Sequence, residues 1–283
     1  MQYCGRLFTP EEIEWIQVLA AQPKVSRYRL SKQVCERLNW RKLNGGLKDM
    51  SCRLALLKMQ ADGLLRLPLP RWGKPVTYRE HPDIERAVLP PTQPPQVDLA
   101  QISVDPPATD RESLLWNAYI QRHHYLGHQP MPGAQLRYFV RAQGHIIALL
   151  GFGASAWKIK PRDEFIGWSA EQRRRNLHLI VNNARFLILP WIQCKNLASR
   201  ALALASHRLA ADWQARYAYR PVLLETFVED HRFRGTCYRA ANWHRLGQTQ
   251  GRGKLDTLHH RSKPVKSIWI YPIARDFRMQ LCS

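Results

Sequence analysis

Acidic side chains are scarce in this sequence: 22 Asp and Glu stand against 43 Lys and Arg, a net charge of +21 with a pI near 10.2. An imbalance of that size concentrates polyanions around the molecule and speeds encounter with them, so nucleic acid is the expected partner. Long apolar runs are missing too, and Glu11, Glu12 and Glu14 sit near the start. We therefore expect neither a signal peptide nor a membrane span, no membrane partner, and a cytoplasmic protein. No Cys-x-x-Cys pair occurs among the six cysteines (Cys4, Cys35, Cys52, Cys194, Cys237, Cys282). Their scatter argues against a zinc finger or a disulfide framework and for reduced thiols. No internal repeat is visible.

The chain has 283 residues with 45% hydrophobic content, enough for two domains with buried cores. Its charge is segregated. Residues 1–74 carry 14 basic and 6 acidic side chains, residues 231–283 carry 11 and 2, and no Lys or Arg lies between Arg86 and Arg111. Thr9-Pro10-Glu11-Glu12 is a helix start. Ser31 is expected to cap a second helix over residues 32–38. After the Asn44-Gly45-Gly46 break, Leu47, Met50, Leu54, Leu57 and Ala61 form one apolar stripe at helical spacing. Leu64 to Pro68 then reads as a short strand. This order predicts a winged-helix-type DNA-binding domain over residues 1–80, with Lys48, Ser51 and Arg53 on the groove-facing side of the third helix.

Residues 89–110 contain six prolines and no basic residue, which predicts an extended Pro-rich linker, bounded at 81–112. Residues 113–283 form the second domain. A helix ends at His123-His124, and a hairpin follows from Leu136–Val140 and Ile146–Phe152. Strands are expected at Asn183–Pro190, Pro221–Val228 and Val265–Tyr271, with a helix over Leu197–Trp213. The whole is α+β, with a mixed α/β second domain.

Chemistry-bearing residues gather near strand ends. His123 and His124 are candidates for acid–base or hydrogen-bonding work. Gly127 and Pro130 break the helix that His124 and His128 would need to share a metal. Asp163 is read as a site carboxylate or as the partner of its basic neighbours. Glu225 lies in an apolar strand and must have a partner or a job there. Lys195 and Arg200 flank the start of a helix that follows a strand, where free backbone N–H groups suit a phosphate. Residues 247–254 (GQTQGRGK), with Arg252 and Lys254, can follow a nucleic-acid backbone but fall short of a P-loop. Trp168, Trp191 and Trp243 could stack on a flipped or single-stranded base.

The stretches HHYLGH, RDEFIGW, NNARFLILPW, NLASRALA, DWQARY through LLETFV, GTCYRAANW and GQTQGRG, spanning roughly residues 117–253, resemble the DruA family of the Druantia anti-phage system. LSKQVCERLNW and DGLLRLP fit that family's opening domain. The resemblance implies phage defence or mobile-DNA biology, with other proteins of such systems as partners. The order HHYLG, strand, KNLASRALAL, strand, GTCYRAANW is also similar to Mom DNA-modification proteins, which have an acetyltransferase-like (GNAT) fold. That likeness implies a GNAT-like second domain that modifies DNA bases. Lys195, Asn196, Ser199 and Arg200 would hold an acyl-CoA-type donor. Tyr238, Asn242 and Glu225 would flank the acceptor, with His123 or His124 as base. The acid of that pattern aligns loosely with Glu229 or Asp230. Two rivals stand beside this reading. One is a Mg²⁺-dependent nuclease or transposase-like protein using Asp163, Glu225 and Asp212; the other is a non-enzymatic DNA-binding adaptor.

Overall fold

A computed structural model describes residues 1–23, 25–43, 45–69, 82–131, 133–251 and 264–283, and its chain divides into two compact units at Arg79/Glu80. The first unit opens with a two-residue hairpin, β1 (Gln2–Tyr3) and β2 (Arg6–Leu7), and continues into α1 (Pro10–Ala20), α2 (Arg27–Arg37) and α3 (Asp49–Ala61). Thr9 and Glu12 form a reciprocal capping box at the start of α1, as the Thr-Pro-Glu-Glu segment predicts. α2 begins earlier than expected. Ser26 is its cap, accepting from the Arg29 amide, while Ser31 is fully buried within the helix and donates to the Tyr28 carbonyl.

α3 turns the opposite face inward from the one predicted. Cys52, Ala55, Leu56 and Met59 are buried, whereas Met50, Leu54 and Leu57 are exposed. The helix carries two apolar stripes, and periodicity alone does not choose between them. Small Cys52 and Ala55 allow a close approach of α2, whose Cys35 is equally buried. No strand forms at residues 64–68. The amides of Arg66 and Leu67 instead donate to the side-chain carbonyls of Gln17 and Gln60, at 2.8 and 3.0 Å. Among the described residues of this unit the three helices are present and the wing strand is not.

The second unit takes in the segment expected to be a tether. α4 (Pro82–Ala87) buries Ile84, Val88 is fully buried, and β3 (Ser103–Asp105) pairs with the sheet, burying Ile102 and Val104. The prolines shape short extended pieces between these anchors; the apolar residues among them bind the segment to the core. Thr109 caps α5 (Asp110–His123). The hairpin β4 (Leu136–Ala142) and β5 (His145–Ala154) follows, then α6 (Lys160–Ile166), α7 (Ala170–Asn176) and β6 (Ile180–Ile188). α8 (Leu197–Tyr217), β7 (Leu223–Glu229), α9 (Thr236–Ala240), β8 (His244–Gln248), β9 (Lys266–Pro272) and α10 (Phe277–Leu281) complete the unit. The fold is mixed α+β. Its seven-stranded sheet has the order β3-β4-β5-β6-β7-β9-β8 and is antiparallel except between β6 and β7, where α8 makes the crossover. α8 buries Ala201, Leu202, Ala205, Leu209 and Trp213. No described helix is long and apolar enough to cross a membrane.

Candidate functional site

The pair β6–β7 is where the described sheet turns parallel. Its register holds for only three residues, Ile180 opposite Leu223 through Asn182 opposite Glu225. Each strand continues on its other edge, β6 against β5 to Ile188 and β7 against β9 to Glu229. The facing edges of residues 183–188 and 226–229 therefore diverge with no strand between them, and the backbone groups they carry need partners. Thr226 Oγ1 donates to the Asn183 carbonyl at 2.9 Å just where the strands part. A cavity of about 620 Å³ fills the wedge.

Its walls come from several elements. His123 to Leu126, at the end of α5, line one side; Phe233 to Tyr238, leading into α9, line another; Pro190 and Ala198 bring it to the start of α8. Gly235 lies in the left-handed region (φ +68°), and a Cβ there would come within 2.8 Å of the Trp269 ring, so only glycine fits this turn. Tyr238 is buried and donates its hydroxyl to Asn183 Oδ1 at 2.8 Å. Burial holds that phenol above its usual range, so it stays protonated. Asn182 Oδ1, also at the wall, is buried and accepts no hydrogen bond. Arg185, Arg234 and Lys266 make the lining basic, with Glu229 as its one described carboxylate. Of the two acids that the sequence leaves open, Glu229 lines the cavity, while Asp230 accepts from Gln248 and Ser267.

The two histidines differ in their partners. His123 Nε2 lies 2.7 Å from the Val88 carbonyl, which fixes a proton on that nitrogen. Its ring packs edge-on to Trp191. His124 is 9% exposed, and its Nδ1 accepts from the Leu126 amide at 3.2 Å. Desolvation, then the Arg185 charge, depress its pKa to about 4, so it is neutral with its proton on Nε2. It can donate a hydrogen bond into the cavity; it has no free lone pair with which to act as a base.

The expected carboxylates lie elsewhere. Glu225 is fully buried, accepts from the Ala156 amide at 2.8 Å and pairs with the fully buried Arg162 at 2.8 Å. Burial pushes its carboxyl upward and the guanidinium opposes that. Asp163 binds the other edge of Arg162 at 2.8 Å and accepts from Trp168 Nε1 at 3.1 Å. Asp212 accepts from Tyr138 and Arg208. Glu225 and Asp163 thus flank the same Arg162, whereas Asp212 pairs with Arg208. No group of three His, Cys, Asp or Glu positioned for a metal occurs among the described residues.

The remaining candidates divide between surface and core. Lys195 and Arg200 are exposed at the start of α8. Asn196, there at φ +64°, gives the helix no side-chain cap, and Ser199 Oγ donates back to the Asn196 carbonyl. Trp168 and Trp243 are 8% and 3% exposed and belong to the core, so neither offers a face to a base. The exposed rings at the cavity are Tyr125 (40%) and Phe233 (47%), 5.5 Å apart, and sequence reasoning passed over both. Tyr125 sat in view within HHYLGH; Phe233 carries no local signal. Asn242 is an exposed turn residue (φ +63°) outside the cavity. Lys48 precedes α3, and Arg53 is paired with Asp49 at 2.8 Å and lies over the Tyr28 ring. Arg252 and Lys254 lie outside the described residues.

Among solved structures, the chain is similar to the ribosomal-protein-S18-alanine N-acetyltransferase of Escherichia coli, at 12% identity over 61% of this chain and 94% of that one, with a TM-score of 0.38. It is also similar to the aminoglycoside acetyltransferase AAC(6')-Ib with coenzyme A, at 12% identity over 64% and 99% of the two chains and a TM-score of 0.40. A GNAT-family acetyltransferase of Streptococcus pneumoniae gives 11% identity, 59% and 78% coverage and a TM-score of 0.33. Likenesses this distant carry no shared chemistry. No curated protein matches the sequence. The family described as Druantia protein DruA matches residues 95–262, which take in every residue lining the cavity except Lys266, and the chain belongs to that family.

Proposed function

We propose that the second unit is a transferase domain that takes an extended acyl-thioester donor between β6 and β7 and acts on DNA in anti-phage defence. The observation that carries this reading is the parting of two parallel strands after three paired residues over a 620 Å³ cavity. Such a gap suits a slender chain with amides along its length, because its strand edges offer donors and acceptors in a row. The pantetheine arm of coenzyme A has that chemistry. The orphaned Asn182 Oδ1 fits it too, as an acceptor for an amide N–H. When bound, the donor supplies a carbonyl activated by its thioester.

The chain's own residues then have separable tasks. Lys195, Arg200 and the uncapped amides at the start of α8 favour a pyrophosphate at the end of the cavity marked by Ala198. His123, with Nε2–H tied to the Val88 carbonyl, has Nδ1 free to take the proton lost by an attacking amine or hydroxyl. The proton that His123 takes can serve the leaving thiolate, while Tyr238, its hydroxyl tied to Asn183, holds the wall of the wedge. The charge of +21 and the basic first unit, Lys48 and Arg53 included, support DNA as the macromolecule engaged.

The test is a thermal-shift and calorimetric titration of the full chain with coenzyme A and acetyl-coenzyme A. Binding at or below about 1 mM, an ordinary substrate range, is expected. No heat and no shift at that concentration would sink the donor reading. Mass spectrometry of nucleosides from plasmid exposed to the loaded protein then reads out the acceptor.

A further inference from the structure

A second, smaller cavity of about 220 Å³ adjoins the wedge, lined among others by Trp116, His128, Arg137 and Arg185. Arg185 lines both cavities. Its position follows from the sheet: Gly151 opposite it on β5 has no room for a Cβ, which would meet Trp116 at 3.1 Å and Arg185 Cβ at 3.2 Å. Arg137 is anchored by the Ser113 carbonyl and hydroxyl and by Asn117 Oδ1, at 2.8 to 3.2 Å, and lies 5.6 Å from the Trp116 ring centre. Among the described residues, Arg185 donates to the Ala184 carbonyl alone.

Both guanidinium groups are half-buried, yet neither forms an ion pair with any described carboxylate. Every other buried arginine of this unit discussed above has one. Two desolvated cations beside a histidine, with no acid, are costly unless an anion completes them. Beside this cluster, at the mouth of the wedge, stand the exposed rings of Tyr125 and Phe233. Arg232 and the His124 ring cover Tyr125, at 4.7 and 4.8 Å, so Phe233 is the ring left open; cationic groups next to it match the two halves of a nucleotide, a phosphate and a base face.

We propose that Arg185, Arg137 and His128 bind a nucleotide phosphate, while Phe233 stacks on its base, making this the acceptor side of the wedge. The acceptor assignment rests on the transferase reading; the nucleotide site itself stands without it. Phosphate chemistry has two sources, a free mononucleotide or a nucleic-acid strand.

The experiment titrates the full chain with thymidine, thymidine 5'-monophosphate and the trinucleotide d(TpTpT) at constant ionic strength. Thymidine avoids the adenine of coenzyme A. The monophosphate is expected to bind at least about tenfold more tightly than the nucleoside, since it adds charge-assisted hydrogen bonds. Arg185→Gln should weaken the monophosphate about tenfold with little effect on thymidine. Phe233→Ala should weaken both about tenfold. Arg174→Gln removes an equal charge from an exposed position on α7 and should change neither. His128→Ala, which touches only the smaller cavity, repeats the test if Arg185→Gln does not fold.

Tighter binding of d(TpTpT) than of the monophosphate, with the same Arg185 dependence, assigns the phosphate to a strand; the reverse order assigns it to a free nucleotide. Equal affinity for thymidine and its monophosphate overturns the proposal. So do equal losses in Arg185→Gln and Arg174→Gln, and so does displacement of the monophosphate by coenzyme A. Failure of coenzyme A to bind, with Arg185-dependent monophosphate binding intact, defeats the transferase reading alone.

Discussion

Glu225→Gln removes one charge from a pair in which both side chains are fully buried and 2.8 Å apart. The glutamine retains the shape but cannot accept from both the Ala156 amide and Arg162 as the carboxylate does, because one terminal atom becomes a donor. Removing one member of a buried pair costs about 3–5 kcal/mol. Asp163 still grips the other edge of Arg162 and the Ala156 carbonyl still accepts from it, which places the loss near the lower end, about 3 kcal/mol. Arg162→Met should cost less than the charge count suggests, because burial already pushes Glu225 toward its neutral form. The double variant should therefore be more stable than the sum of the two single losses predicts, with a coupling above about 1 kcal/mol. Urea unfolding followed by tryptophan fluorescence measures all three, and Trp168, bonded to Asp163, reports from beside the pair. Glu225→Gln within about 1 kcal/mol of the parent, or strictly additive losses, would refute the account. A stable Glu225→Gln protein that had lost magnesium-dependent nicking would return the carboxylate to catalysis.

The other expectations concern the cavity. His124, at about 4 when folded and near 6.5 when unfolded, binds fewer protons in the folded chain between those values. Its contribution is complete above about pH 6.5 and is lost as the pH falls toward 4, by up to about 3 kcal/mol. The urea midpoint of the parent should thus drop further than that of His124→Gln between pH 7 and 4.5, and parallel curves would count against it. Gly235→Ala forces a Cβ into the Trp269 ring at φ +68° and should cost about 2 kcal/mol or more in the same unfolding assay. Tyr238→Phe leaves Asn183 Oδ1 without its donor; about 1–2 kcal/mol of stability should go, and transfer should slow while donor affinity in calorimetry holds. Transfer at the parental rate would show that the Tyr238–Asn183 bond does not shape the reacting end of the wedge.

The hairpin β4–β5, the strands β6, β7 and β9 and the long helix α8 of the second unit were readable because their signals are local, whereas β8 carries no such signal. Residues 136–142 and 145–154 alternate or run apolar around a Gly144 turn, and α8 buries one continuous stripe. What escaped was set by contacts between segments. β3 is three residues long and exists because Val104 lies against β4, so in sequence it is indistinguishable from its proline-rich surroundings. The inward face of α3 depends on what α2 presents, and a helix with Met50, Leu54 and Leu57 on one side and Cys52, Ala55, Leu56 and Met59 on another satisfies the helical period either way.

The candidate site shows the same division at finer scale. A carboxylate inside an apolar strand signals that a partner exists, but not which one; for Glu225 that partner is Arg162, 63 residues away. Burial of that pair at the last paired position of β6 and β7 also has a geometric consequence. Glu225 draws in the Ala156 amide from the segment after β5, so the closed end of the wedge is pinned by charge just where the ladder stops. Beyond it the strands diverge and the cavity opens. The groups that define the cavity are therefore backbone edges, one orphaned Asn182 oxygen and a tyrosine held by Asn183, and none of these forms a motif. On this argument Glu225→Gln should loosen the wedge as well as the core: amide hydrogen exchange should quicken along residues 180–188 and 223–229 more than along β4, and equal protection of the three strands would show that the pair stabilises the fold without shaping the site.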